Sequence, residues 1–133
     1  MACLDSNVLL RFALKDVPDH YVRAKALLAR TDLIFDVADS VWVEIAYALD
    51  HHYGLDRSAI ADVITSLASI PSIKVDMNII DSTCRSYVSH PKLSFVDCYL
   101  ATRASLPGIS PLYTFDEKFA RQHDCAELVP LYP

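Results

Sequence analysis

The segment Ala2-Cys3-Leu4-Asp5-Ser6-Asn7-Val8-Leu9-Leu10 begins as a short apolar strand and continues as a helix, with a carboxylate at the junction. Apolar residues recur at helical spacing from Val8 to Ala13. A carboxylate within an apolar stretch costs desolvation free energy unless a partner stabilises it. We therefore expect Asp5 either to cap the following helix or to meet a partner from elsewhere in the chain.

Three other segments also place one carboxylate where an apolar strand ends or an apolar helix begins: Val43-Glu44-Ile45, Val96-Asp97-Cys98 and Thr114-Phe115-Asp116. The short apolar strands between them alternate with helices, which predicts an α/β fold with a parallel sheet covered on both faces. Ligands of such sheets bind beyond the carboxyl ends of the strands. We therefore expect the four carboxylates to face one crevice.

The pattern predicts strands and helices along the whole chain. Pro18 can start a helix, and Ser40, Asp56 and Ser94 are predicted helix caps, with Gly54 ending the helix that Ser40 begins. Further helices are predicted over 79–88 and 117–123, and strands over 2–5, 33–37, 73–75, 112–114 and 126–129. The closing segment, Leu128 to Pro133, suits an edge strand or a loose tail. With no repeat or linker, residues 1–133 are predicted to form one domain.

Composition narrows the function classes. The net charge of −5 argues against a purely electrostatic nucleic-acid binder, but bound cations would offset acidic charge in an enzyme that acts on nucleic acid. Only Gly54 and Gly108 are present, so no glycine-rich nucleotide loop can form. The apolar stretch over 33–49 carries three acidic residues, too many for a membrane span. Without a basic, apolar leader, we expect a cytoplasmic protein.

The four cysteines are widely separated, and three of them lie in apolar contexts. An even number permits disulfides, but the pattern favours reduced, buried thiols.

Each carboxylate also has a purely structural explanation. Asp5 and Asp116 could cap helices, and Ser94 to Asp97 has the spacing of a capping box. Glu44 follows Ser40 by four residues instead of the three that a capping box needs, but it could still snorkel or form a salt bridge. The order and spacing of all four together are more specific than any one of them.

Taken together, these segments resemble the PIN-domain nucleases, and most closely the VapC-type toxins of prokaryotic toxin–antitoxin pairs. The resemblance runs from the first strand to about Arg121. It is carried by four segments: 4–11 with its Asp-Ser-Asn motif, 42–49 with a helix-borne Glu, 95–101 with a third acidic residue, and 113–119 with a Thr-x-Asp motif.

The resemblance implies a three-layer α/β/α fold and a Mg²⁺- or Mn²⁺-dependent endoribonuclease that hydrolyses RNA phosphodiesters with metal-activated water. It implies that Asp5, Glu44, Asp97 and Asp116 hold the metal and form the catalytic set. Ser6, Asn7 and Thr114 are predicted to orient these ligands by hydrogen bonds. It also implies a homodimer and a cognate antitoxin partner.

The metal requirement also has an electrostatic basis. Two carboxylates about 4 Å apart repel each other by roughly 4 kcal/mol at an effective dielectric constant near 20. Hard divalent cations relieve such repulsion. Arg11 could contact a phosphate or be a solvated helix charge. Tyr47 and Tyr99 are predicted to be core or interface residues in preference to base-stacking platforms. None of the five histidines has a convincing metal-site partner.

Other readings stay open from the sequence. A phosphoryl-transfer enzyme with an Asp-x-Asp motif after its first strand would need an acidic residue at the position of Asn7. A receiver-type phospho-acceptor domain would need a pair of acidic residues after the first strand and a lysine directly after a late strand, whereas Lys118 lies on a predicted helix. A PIN-like fold without catalysis could act as a scaffold or regulatory module. A PIN nuclease outside toxin–antitoxin systems is a third alternative.

Overall fold

A computed structural model describes residues 1–131. Its strands are β1 (Ala2–Cys3), β2 (Phe35–Asp36), β3 (Ile73–Lys74), β4 (Leu112–Thr114) and β5 (Ala126–Leu128). Its helices are α1 (Ser6–Leu14), α2 (Pro18–Leu28), α3 (Asp39–His51), α4 (Arg57–Ala68), α5 (Met77–Ser89), α6 (Phe95–Ala104) and α7 (Glu117–Gln122). The predicted α/β fold with a parallel sheet is confirmed.

The strands form two hydrogen-bonded groups. One has the order β1-β2-β3 and the other pairs β4 with β5, and every pairing is parallel. In the register, Cys3 lies opposite Asp36, so the carboxyl ends of β1 and β2 lie side by side. The main chain then enters α1 directly after β1, which places Asp5 at this edge of the sheet.

Helices surround the sheet and bury one apolar cluster. Its almost fully buried members include Trp42, Ile45, Leu49, Ile60 and Ile64, from neighbouring helices α3 and α4. Burying an aliphatic side chain of this size contributes about 1.5–3 kcal/mol, so this cluster is a main source of stability. Within residues 1–131, no helix is long and apolar enough to cross a membrane.

Most predicted helix boundaries agree with the structure. Asp56 caps α4 by accepting a hydrogen bond from the Ala59 N–H at 2.8 Å. Gly54 lies in the turn that follows α3 and donates its N–H to the Asp50 carbonyl oxygen, with φ +64°, a left-handed conformation that glycine adopts without strain. The Ser40 prediction is wrong, because α3 begins at Asp39 with Ala38 as its N-cap and no side-chain cap bond.

The cysteine prediction holds for two of the four side chains. All four cysteines are free thiols, and Cys84 and Cys98 are buried while Cys125 is half-buried and Cys3 is exposed. Burial raises the pKa of Cys84 to about 11, which keeps it a neutral thiol near pH 7. The predicted β5 strand covers Ala126–Leu128, and the last two residues of the ambiguous segment, Tyr132 and Pro133, lie outside the described residues.

Candidate active site

Asp5 occupies the N-cap position of α1 but does not cap it. Its backbone is extended, with φ −81° and ψ 154°, and its side chain accepts no hydrogen bond from the helix N–H groups. The buried Ser6 hydroxyl donates to Asp5 Oδ1 at 3.3 Å. The capping explanation for Asp5 therefore does not apply, and the exposed carboxylate stays available to a ligand.

Glu44 lies in the second turn of α3, not in its first turn as the sequence predicted, because the helix begins at Asp39. The apolar side chains of Trp42 and Ile45 face the core, so Glu44 is on the exposed side. Among the described residues, it has no salt-bridge partner and no side-chain hydrogen bond. The Glu44 carboxylate therefore has no structural task among the described residues.

Asp97 takes part in the capping box that its spacing predicts. Its Oδ2 accepts a hydrogen bond from the Ser94 N–H at 3.2 Å, and the Ser94 hydroxyl accepts one from the Asp97 N–H at 3.2 Å. The other carboxylate oxygen, Oδ1, has no partner among residues 1–131. Capping and ligand binding can therefore coexist on this side chain.

Asp116 caps the short helix α7. Its Oδ1 accepts hydrogen bonds from the Lys118 N–H at 2.9 Å and the Phe119 N–H at 3.2 Å. The Thr114 hydroxyl accepts a hydrogen bond from the Asp116 N–H at 3.0 Å, which fixes the turn between β4 and α7. As with Asp97, one oxygen of the carboxylate stabilises the local turn and the other has no partner in the described part of the chain.

The elements that carry these residues pack in sequence. Helix α1 contacts α3, α3 contacts α6, and α6 contacts β4. At the contact between α3 and α6, the Asp39 carboxylate at the start of α3 lies beside the Tyr99 hydroxyl of α6. Burial raises the pKa of Tyr99, and the Asp39 carboxylate raises it further. The four predicted ligands thus belong to a continuous set of neighbouring elements.

The side chains themselves do not converge on one point. Within the part of the chain that the structure describes, no three His, Cys, Asp or Glu side chains are placed to hold a metal ion. The donor chemistry suits Mg²⁺ and Mn²⁺, because all four predicted ligands are carboxylates and each has an oxygen without a protein partner. The residue types fit a hard cation, and their joint coordination stays a prediction.

Arg11 is neither solvated nor free. Its guanidinium donates to Asp16 at 2.9 Å and to the Tyr53 hydroxyl at 2.8 Å, and 23% of its side chain is exposed. With Asn7 it lines a cleft of about 660 Å³ between α1 and α2, which also contains His20 and Arg23. A phosphate contact by Arg11 would have to compete with Asp16.

Tyr47 lies on the surface of α3. It was predicted to be a core or interface residue, and its exposed fraction of 56% shows that the core placement is wrong, while the interface placement stays a prediction. Its ring stacks on that of His51, with centroids 4.0 Å apart. The signal available in the sequence was the four-residue spacing of two aromatic rings on the helix face that carries Glu44.

The family comparison gives the decisive match. The family model of the PIN domain matches residues 2–123, which include Asp5, Glu44, Asp97 and Asp116. The chain belongs to the PIN domain family. Members of this family are generally nucleases that use divalent metals, so the chain has the fold of a hydrolase that cuts nucleic acid. No curated protein matches the chain.

Proposed function

We propose that this PIN-domain protein is a metal-dependent endoribonuclease and the toxin component of a type II toxin–antitoxin pair, acting in the cytoplasm. The observation that carries the nuclease proposal is the pair Asp5 and Glu44. These carboxylates come from distant parts of the chain, lie on contacting helices α1 and α3, and perform no structural task. Exposed carboxylates of this kind are suited to binding a cation.

In this proposal, Asp5, Glu44, Asp97 and Asp116 hold Mg²⁺ or Mn²⁺. The bound cation would lower the pKa of water and offset negative charge on the phosphate. Ser6 would orient Asp5 through its 3.3 Å hydrogen bond, and Thr114 would hold the turn that presents Asp116. Repulsion between the carboxylates favours separated side chains until a cation neutralises them.

The toxin assignment, the RNA substrate, the antitoxin partner and the homodimer rest on the resemblance to VapC-type proteins. A PIN nuclease outside such a system would share the same site residues. Of two aromatic side chains that could contribute to a homodimer interface, Tyr53 is 41% exposed, whereas Tyr21 is half-buried against Phe12. Sedimentation as a monomer at micromolar concentration would contradict the homodimer.

A scaffold without catalytic activity is the second candidate. It is favoured by the capping roles of Asp97 and Asp116 and by the lack of a formed three-ligand group among residues 1–131. A pure scaffold has no need of a divalent cation, so Mn²⁺ titration separates the two candidates.

The first experiment is cleavage of a panel of structured RNAs by the purified protein in Mg²⁺, Mn²⁺ or EDTA. Asp5→Asn is compared with Asp62→Asn, an exposed carboxylate on α4 outside the site. We expect metal-dependent cutting that Asp5→Asn abolishes and Asp62→Asn retains. Folded wild-type protein that neither cuts RNA nor binds Mn²⁺ would support the scaffold.

A further inference from the structure

An exposed pair of aromatic rings lies on the Glu44 side of α3. The rings of Tyr47 and His51 stack with centroids 4.0 Å apart and an interplanar angle of 17°. His51 Nδ1 lies 3.2 Å from the Tyr47 carbonyl oxygen, which holds the two rings in register. Tyr47 is 56% exposed and the His51 side chain 54%, and the His52 ring meets Tyr47 edge-on with centroids 6.1 Å apart, so solvent reaches the stacked pair.

The pair borders a small pocket of about 110 Å³ between α3 and α6. Arg57 stiffens its wall, because the guanidinium lies 4.1 Å from the Tyr87 ring centroid and donates to the Tyr87 carbonyl oxygen at 2.8 Å. Asp50 also lines the pocket, and its half-exposed carboxylate lies 3.6 Å from His51 Nδ1. The pocket therefore combines a stacking surface, a fixed cation and a hydrogen-bond acceptor.

This pocket adjoins two of the proposed metal ligands. Glu44 precedes Tyr47 by three residues, so both side chains lie on one face of α3. Across the pocket, its lining includes the N-cap Ser94 and Val96, which directly precede Asp97 at the start of α6. A group bound against Tyr47 would lie beside the proposed cleavage site.

The charges of the pocket favour an uncharged base over a phosphate as the part of a nucleic acid that binds there. A phosphate would meet the Asp50 carboxylate in a chain of net charge −5, and the Arg57 guanidinium is already engaged by backbone carbonyl oxygens. An uncharged base can stack on Tyr47 and donate an N–H to Asp50. Stacking needs an unpaired base, because a base within a duplex has both faces covered.

We propose that Tyr47 and His51 bind one unpaired base of the RNA substrate next to the cleaved phosphate, with Asp50 accepting a hydrogen bond from that base. This site deepens the proposed nuclease function and rests on it. It makes Tyr47 a determinant of sequence preference at the position of that base. Arg57 positions the pocket wall and does not touch the RNA.

The test is fluorescence anisotropy of labelled single-stranded RNA octamers of each base, with the full chain in EDTA so that no cutting occurs. We expect Tyr47→Ala to weaken binding by roughly 5- to 100-fold, the range that removal of one base-stacking ring produces. Tyr47→Phe should retain binding because the ring remains. The matched control is Tyr113→Ala, since Tyr113 is 57% exposed but lies on β4.

The proposal is overturned if the wild type binds none of the octamers, if Tyr47→Ala binds like the wild type, or if Tyr113→Ala weakens binding equally. Stronger binding to an RNA duplex than to single strands would also overturn it. A parallel cleavage assay in Mn²⁺ separates the two proposals. Binding that depends on Tyr47 without any cutting defeats the nuclease function alone, and cutting with unchanged site preference in Tyr47→Ala defeats the base site alone.

Discussion

The two predicted ligands from the first half of the chain, Asp5 and Glu44, differ in their hydrogen bonds from the two in the second half, Asp97 and Asp116. Asp5 and Glu44 stabilise no helix, whereas Asp97 and Asp116 each accept backbone hydrogen bonds at the start of a helix. All four residues lie within the family match and have the same predicted role as metal ligands, but only two of them also stabilise a helix. Loss of activity and loss of stability can therefore be separated residue by residue at this site.

The largest expected effect comes from removing charge while keeping the cap. Asn caps a helix about as well as Asp, which applies to the N-cap Asp116. At the N3 position, the amide oxygen of Asp97→Asn can still accept the hydrogen bond from the Ser94 N–H. An amide is a poorer ligand than a carboxylate for a hard cation. We expect Asp97→Asn and Asp116→Asn to lower RNA cleavage by roughly a hundredfold or more, with little change in the free energy of unfolding. Cleavage rates and denaturant unfolding on the same samples check this.

Alanine variants extend that comparison. Asp116→Ala should lose cleavage and also about 1 kcal/mol of stability, because the Lys118 and Phe119 N–H groups lose their acceptor. The matched control is Asp56→Ala, which removes the cap of α4 away from the site. It should lose similar stability and keep its activity. An active Asn variant at position 97 or 116 would remove that residue from the essential set.

A smaller effect is expected at the Asp5 end. Ser6→Ala removes the hydroxyl that donates to Asp5 Oδ1. Loss of such a supporting hydrogen bond typically lowers metal affinity by about 10- to 100-fold, so we expect weaker Mn²⁺ binding in calorimetry. Ser58→Ala, on the exposed side of α4, is the control. Equal Mn²⁺ affinity in the wild type and Ser6→Ala would show that Ser6 does not orient Asp5.

The smallest expected effect is a pH dependence of the region that carries Asp116. The Ser86 hydroxyl lies 3.1 Å from His123 Nε2 and ties the end of α7 to α5, and the His90 ring packs 4.6 Å from the His123 ring. Burial lowers the pKa of His123, the nearby His90 charge lowers it further, and Asp124 opposes both.

The folded state therefore binds fewer protons at His123 than the unfolded chain does. The stability that this contact contributes is present above the unfolded pKa of about 6.5 and is lost as the pH falls through the lower folded pKa. We expect His123→Phe to flatten the dependence of unfolding free energy on pH between about 7 and 5. A slope equal to that of the wild type would contradict this.

Much of the fold could be predicted from local sequence. Ser94 and Asp56 cap helices as expected, because a cap depends on atoms within three residues. The strand centres were also predicted, but β2 is shorter than the apolar run over 33–37, since strand limits depend on pairing with β1 and β3. Ser40 failed as a cap because the main chain leaving β2 turns helical two residues earlier, with Ala38 at the N-cap.

The site was predictable as a set of residue types and not as a set of contacts. The sequence by itself determined the four carboxylates, their order and the helix starts on which three of them lie, because these depend on neighbours along the chain. Only the tertiary structure decided that Arg11 is held by Asp16 and Tyr53 and that Tyr47 stacks in the open beside α6. Contacts between helices distant in sequence depend on how those helices pack, and side-chain burial follows from that packing.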